Sequence, residues 1–177
     1  MADRIAGLWW YRALFVLIAI SVMFVQLLPL HPGPGQLPGP DVMLVLVLSW
    51  TIIRPELVPV LLVASVFLVF DLLLMRPPGL WTALTILGCE FLRSRRILLR
   101  GASFPVEWLL VACVVTAMTF ANAVILALFA VPQPALGLTL IRMLFTIAVY
   151  PLILLLAARP FRLRKAKGER DKFGARQ

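Results

Sequence analysis

Six apolar runs make up most of this chain and restrict its fold more than any other feature. They cover residues 13 to 30, 41 to 53, 57 to 75, 80 to 92, 106 to 131 and 138 to 158. Hydrophobic residues occupy 62% of the 177 positions and charged residues only 14%, against about 45–50% and 25% in ordinary soluble domains. We therefore predict an all-α, polytopic membrane helical bundle over residues 1 to 160, followed by a flexible basic cytoplasmic tail over residues 161 to 177.

The number of membrane spans depends on the second and fourth runs. Each has about 13 residues, or roughly 20 Å of helix, against a hydrocarbon core of about 30 Å. Six spans are the preferred topology, and four spans with both short runs re-entrant or interfacial are the alternative. The positive-inside rule places both termini in the cytoplasm either way. It does not choose between the two, because they merely exchange Arg54 with Arg76.

The first run is interpreted as an uncleaved transmembrane helix rather than a signal peptide. It is longer than a signal core and closes with "LLPLHPGPG", which contains no small-x-small cleavage site. His31 in this stretch has no visible partner and is interpreted as an interfacial or solvated histidine.

The net charge of +9 fits a membrane protein better than a nucleic-acid-binding one, because the basic residues lie between the apolar runs and in the tail. The stretch "RSRRILLRGASF" mixes four arginines with apolar residues, a composition typical of a segment at the inner membrane surface among anionic lipids. A simple positive-inside anchor is the alternative. The arginines of this inner-surface segment are Arg93, Arg95, Arg96 and Arg100.

No catalytic or metal-binding constellation is visible. The chain has one histidine, no Ser or Cys beside a base and no second carboxylate near Asp71. Cys89 and Cys113 lie in apolar runs and are interpreted as small buried hydrophobic residues. We therefore predict no enzymatic activity, no metal and no cofactor.

Asp71 stands inside the third apolar run, in "FLVFDLLLMRPPG", where an unpaired carboxylate would cost roughly 3 kcal/mol in a bilayer. In the six-span topology Asp71 and Arg142 lie at the same depth, roughly 6–8 Å below the outer boundary, so we predict an interhelical ion pair between them. Alternatively, each side chain reaches the interface alone, or Asp71 contacts the nearby Arg76.

Two further polar features have simpler interpretations. Glu90 lies three residues before Arg93, a spacing that permits a local ion pair on one helix. Asn122, with two threonines close by, indicates a helix face that packs on another helix rather than on lipid.

The stretch from residue 54 to residue 80, "RPELVPVLLVASVFLVFDLLLMRPPGL", resembles the rod shape-determining protein MreD family. That family typically shows Arg-Pro, then Pro-Val, then an aspartate followed by leucines and a Pro-x-Gly-Leu turn. The matching positions are Arg54, Pro55, Pro59, Val60, Asp71, Leu72, Leu73, Pro77, Gly79 and Leu80. Many relatives have glycine where this chain has Phe67 and Met75.

The resemblance implies a noncatalytic component of the bacterial inner membrane. Such a protein binds the membrane helix of MreC directly and works with MreB filaments, RodA and a penicillin-binding transpeptidase in lateral wall synthesis. It also implies a fold similar to the six-helix substrate-binding subunits of energy-coupling-factor transporters. The residues that we expect to bind a partner or to have a structural role are Arg54, Pro55, Glu56, Asp71, Pro77, Gly79 and Arg142. The alternative function is a small-molecule or lipid-binding subunit of a transporter.

Overall fold

The computed structural model describes residues 2 to 28, 38 to 99 and 102 to 158. The regular secondary structure of this part of the chain is entirely helical, with no strand, which confirms the all-α prediction. A one-turn 3-10 helix, Pro55–Leu57, separates the second and third α-helices. The α-helices are α1 (Ala2–Leu27), α2 (Val42–Ile53), α3 (Val60–Leu73), α4 (Leu80–Ser94), α5 (Arg96–Leu99), α6 (Phe104–Leu128) and α7 (Leu136–Ala158).

Each predicted apolar run contains one helix, but α1 begins at Ala2 rather than near residue 13. The polar start of the chain contains no proline and is rich in residues of high helix propensity, so the helix extends through it. Three segments are long and apolar enough to cross a membrane: Trp9–Leu27, Phe104–Leu128 and Leu136–Leu155. The apolar helices α2 and α3 are shorter, with 12 and 14 residues.

Prolines set several of the helix ends. Arg54 precedes Pro55 and has φ −146°, so α2 stops where the following ring disfavours helical backbone. Pro59 has extended backbone and lies directly before α3. Pro105 occupies the first turn of α6, where its missing N–H would have no helical partner in any case.

The short helix α2 forms the centre of the bundle. Every residue from Met43 to Ile53 is buried, as expected for a helix that is apolar on all sides. Its two hydroxyl side chains, Ser49 and Thr51, donate to carbonyl oxygens one turn earlier and so leave no unsatisfied donor against their neighbours. Trp50 packs on Phe15 of α1 with ring centroids 5.5 Å apart.

Four helices surround a common interior. Helix α2 contacts α4 and α7, while α6 contacts the same two helices, and this closes a ring of contacts. Helix α3 packs on α4, and α1 packs on α2 and α3. Gly88 lets α4 approach α6 closely, because a Cβ there would lie 2.9 Å from Met118 Sδ and 3.1 Å from Val114 Cγ1.

Charged side chains gather at two opposite ends of this bundle. At the Asp41 end, Asp41 lies near Arg76 and Arg142. At the Glu56 end, Glu56 lies near Arg12 and Arg96. Helices α2 and α4 both run from the Asp41 end to the Glu56 end, and the length of α2 separates the two ends by about 18–20 Å.

Met75 has left-handed backbone, with φ +53°, directly after the end of α3. The N–H of Arg76 donates to the Asp71 carbonyl oxygen at 2.9 Å, the bond that closes a Schellman-type helix end. Glycine is the usual residue at such a position because it lacks a Cβ. A glycine here would therefore serve the turn and not a close helix contact.

We expect the substitution Met75→Gly to raise the free energy of unfolding by about 0.5–1 kcal/mol. Left-handed backbone costs a non-glycine residue about 1–2 kcal/mol, of which the entropy of glycine in the unfolded chain cancels a part. The Met75 side chain is 94% exposed, so little packing is lost. Unfolding of the detergent-solubilised protein by added SDS measures the change. Met75→Ala is the control, since it removes the side chain but keeps the strain; an equal gain in that variant would contradict the explanation.

Candidate functional site

The Asp71 carboxylate caps the start of helix α4. Its Oδ2 accepts hydrogen bonds from the Gly79 N–H at 3.1 Å, the Thr82 N–H at 3.1 Å and the Thr82 hydroxyl at 2.8 Å. Asp71 is fully buried at the end of α3. The two free N–H groups and the positive end of the α4 dipole stabilise the negative charge there. The other oxygen, Oδ1, is buried and has no partner among the residues that the structure describes.

The predicted ion pair between Asp71 and Arg142 is wrong, because Arg142 binds Asp41. Arg142 Nη2 lies 3.1 Å from Asp41 Oδ2, and Arg76 Nη1 lies 4.0 Å from the same oxygen. Equal depth was a correct reason to expect a partner for Arg142. Depth alone could not show which carboxylate lies beside α7. The position of a residue along its helix gives its depth in the membrane, but it does not show which helices are neighbours.

Asp41 makes two further hydrogen bonds, to α2 and to Thr146 of α7. Its Oδ1 accepts a hydrogen bond from the Leu44 N–H at 3.1 Å and so caps α2. Its own N–H donates to the Thr146 hydroxyl at 2.9 Å, and that hydroxyl donates to the Arg142 carbonyl oxygen at 2.7 Å. The sequence analysis did not single out this residue, although an aspartate at the start of an apolar run is a recognised helix-start signal.

Pro77 and Gly79 form the turn between α3 and α4. Gly79 is the N-cap of α4 with φ +86°, a value that favours glycine. Arg76 precedes this turn, and its guanidinium carbon lies 5.9 Å from the centre of the Trp81 ring. Burial, and then the neighbouring Arg142 guanidinium, lower the pKa of Arg76. The turn thus holds the Arg76 guanidinium near the Arg142 guanidinium.

At the Glu56 end, the motif residues make local contacts. Arg12 Nη2 donates to the Glu56 carbonyl oxygen at 3.1 Å, and Arg96 Nη2 lies 4.0 Å from the Glu56 carboxylate. The predicted Glu90–Arg93 pair is confirmed at 2.6 Å, and Arg93 also donates to the Val58 carbonyl oxygen.

The other inner-surface and motif residues are placed as follows. The Arg95 guanidinium carbon lies 5.5 Å from the centre of the Phe91 ring. Arg54 and Pro55 are partly buried at the junction of α2 and the 3-10 helix. Arg100, His31 and the predicted basic tail lie outside the described residues.

The two cysteines and the buried carboxylate of Glu107 lie on α4 and α6. Cys89 is buried as predicted, but Cys113 is exposed on α6, so the prediction was wrong for that residue. Glu107, on the first turn of α6, is buried and accepts a hydrogen bond from the Tyr150 hydroxyl at 2.9 Å. The sequence shows both residues but not that α6 and α7 bring them together.

A cavity of about 440 Å³ opens between α2, α4, α6 and α7 at the Asp41 end. Apolar side chains of all four helices form much of its wall, among them Leu44, Leu80, Val115 and Met143. The prediction that Asn122 packs on another helix is modified, since this residue of α6 lines the cavity. The polar residues of the wall are Asp41, Arg76, Thr119, Asn122, Gln133, Thr139, Arg142 and Thr146.

Comparison with family models, curated proteins and solved structures finds no match for this chain. The resemblance to MreD thus rests on the motif from residue 54 to residue 80, and membership of that family stays a prediction. Among the described residues, no group of three or more His, Cys, Asp and Glu side chains could hold a metal ion.

Double-mutant cycles distinguish the two candidate partners of Arg142. We expect Asp41→Asn and Arg142→Gln to be coupled by about 1–3 kcal/mol in the free energy of unfolding, since the side chains share a hydrogen bond. Asparagine still caps a helix, so the Asp41→Asn change removes chiefly the charge. Asp71→Asn and Arg142→Gln should be additive within about 0.5 kcal/mol. A larger coupling for the Asp71 pair than for the Asp41 pair would restore the original prediction.

Proposed function

We propose that this chain is a noncatalytic membrane scaffold of the MreD type, which binds the membrane helix of MreC and helps to organise lateral cell-wall synthesis. The motif of residues 54 to 80 carries this proposal. Its most unusual residue, Asp71, is used to cap α4, and its Pro77 and Gly79 form the adjoining turn. These residues thus have structural roles, which are consistent with a noncatalytic scaffold.

Among the residues with described side chains, the contacts of the other acidic groups are consistent with a noncatalytic role. Glu56, Glu90 and Glu107 each contact an arginine or a tyrosine. Asp41 combines a helix cap with an ion pair. None of these arrangements sets a carboxylate beside a nucleophile with an oriented base, the geometry that acid–base or covalent catalysis needs.

We further propose six membrane spans, with both termini in the cytoplasm of a bacterial inner-membrane protein. Three helices are long enough to cross unaided. Helices α2 and α4 also extend from one charged end of the bundle to the other, which supports a membrane crossing by these shorter helices as well. Burial of α2 from Met43 to Ile53 is unlike an interfacial segment, which would expose its polar face to headgroups.

Single-cysteine labelling in intact cells tests the six spans. In a variant without Cys89 and Cys113, we expect an impermeant maleimide to label Met75→Cys, whereas Glu56→Cys should react only after permeabilisation. Both positions are well exposed. Ile97→Cys is the control, since residue 97 is cytoplasmic in the four-span topology as well. Labelling of position 56 with protection of position 75 would replace six spans by four.

Copurification tests the partner. We expect tagged full-length chain, co-expressed with MreC, to retain MreC in mild detergent and to lose it when the MreC membrane helix is replaced by an unrelated apolar helix of the same length. Photo-crosslinkers at Phe24 of α1, Phe120 of α6 and Leu152 of α7, all exposed, identify the contacting helix. Equal retention of both MreC forms, together with normal cell shape after depletion of the chain, would refute the proposal.

A further inference from the structure

The charges in the cavity between α2, α4, α6 and α7 do not balance. In the wall itself, two guanidiniums, of Arg76 and Arg142, stand against one carboxylate, Asp41. The Asp71 carboxylate also attracts Arg76, but it lies outside the wall and is hydrogen-bonded to the start of α4. Both cations approach the same oxygen, Asp41 Oδ2. The longer contact, 4.0 Å to Arg76, is beyond hydrogen-bonding distance. Arg76 therefore keeps its hydrogen-bond donors available.

The position of Arg76 makes this imbalance costly. Its side chain is only 24% exposed, so water solvates the guanidinium poorly. A second cation, Arg142, stands close by on α7. A charge that is partly desolvated and incompletely paired is stabilised when an anion binds it, and a guanidinium fork matches the oxygen atoms of phosphate or carboxylate.

The remaining walls indicate what such an anion is attached to. The Asn122 side chain lines the cavity and has no hydrogen-bond partner among the described residues, so its amide can bind a polar head group. Beyond these polar groups the lining is apolar, with Leu44, Leu80 and Leu126. The volume of about 440 Å³ lies in the range of small-molecule sites. A soluble inorganic anion would leave this apolar surface uncovered.

We propose that the cavity binds an amphiphile with one net negative charge, a phosphodiester or carboxylate head group joined to an apolar chain. The head group lies between Arg76 and Arg142, and the chain follows the apolar wall toward α6. This site is independent of the proposed scaffold role, because it uses the Asp41 end of the interior and not an outer surface of the bundle.

Lipid titration of the full-length protein, followed by native mass spectrometry, tests the site. We expect saturable binding of phosphatidylglycerol and oleate, and much weaker binding of phosphatidylcholine, whose head group has no net charge. Glycerol 3-phosphate, which lacks the chain, should not compete. Equal binding of phosphatidylcholine, or displacement by glycerol 3-phosphate at concentrations equal to that of the lipid, would overturn the proposal.

Matched variants locate the binding in the cavity. Arg76→Gln should weaken phosphatidylglycerol binding about tenfold or more, the usual effect of losing one charge-assisted hydrogen bond. Arg12→Gln is the control, because Arg12 lies beside Glu56 at the opposite end of the bundle and outside the arginine-rich inner-surface segment. Ala123→Phe fills the cavity without changing charge and should abolish binding. Melting curves identify variants that are folded. Folded Arg76→Gln and Ala123→Phe proteins that bind like Arg12→Gln would refute the assignment.

Discussion

The capping of α4 by the Asp71 carboxylate is the interaction on which the rest of the bundle depends. The carboxylate is fully buried, so its charge is tolerable only because the first N–H groups of α4 point at it. This contact joins the end of α3 to the start of α4 and determines the direction in which α4 leaves the turn. Helix α4 then packs on α2 and α6 and supplies one wall of the cavity.

The two charged ends give the bundle a polar boundary on each side of an apolar centre. Between them α2 presents only apolar side chains and hydroxyl groups that bond to their own helix. Cation–carboxylate contacts at the ends join elements that are distant in the chain, such as α2 with α7 and the 3-10 helix with α5. Helices α2 and α4 thus have polar contacts at both of their ends, although neither helix is as long as a typical membrane span.

The positions of the helices along the chain could be predicted from the sequence, but the packing of one helix on another could not. Apolar runs and prolines located six helices, because hydrophobicity and backbone restriction act over a few residues. The partner of Arg142 was wrongly assigned because it depends on which helices are neighbours. The contact of Glu107 with Tyr150 and the cavity itself depend on helix packing in the same way. At position 75 the structure gives a reason that the sequence did not. The left-handed backbone of Met75 explains why glycine would suit this position.

The central position of α2 also determines when the protein can become stable during synthesis. Helix α1 emerges before α2, but the other neighbours of α2, helices α4 and α7, emerge later. Its capping residue Asp41 is joined to Arg142, which lies 101 residues further along the chain. At about 5–20 residues per second, the ribosome needs roughly 5–20 s to supply that partner. During this interval α2 can pack on α1 and then on α4, but the side of α2 that faces α7 stays uncovered. A chain that ends before α7 therefore leaves the Asp41 carboxylate without its hydrogen-bonded partner and α2 without one of its main neighbours.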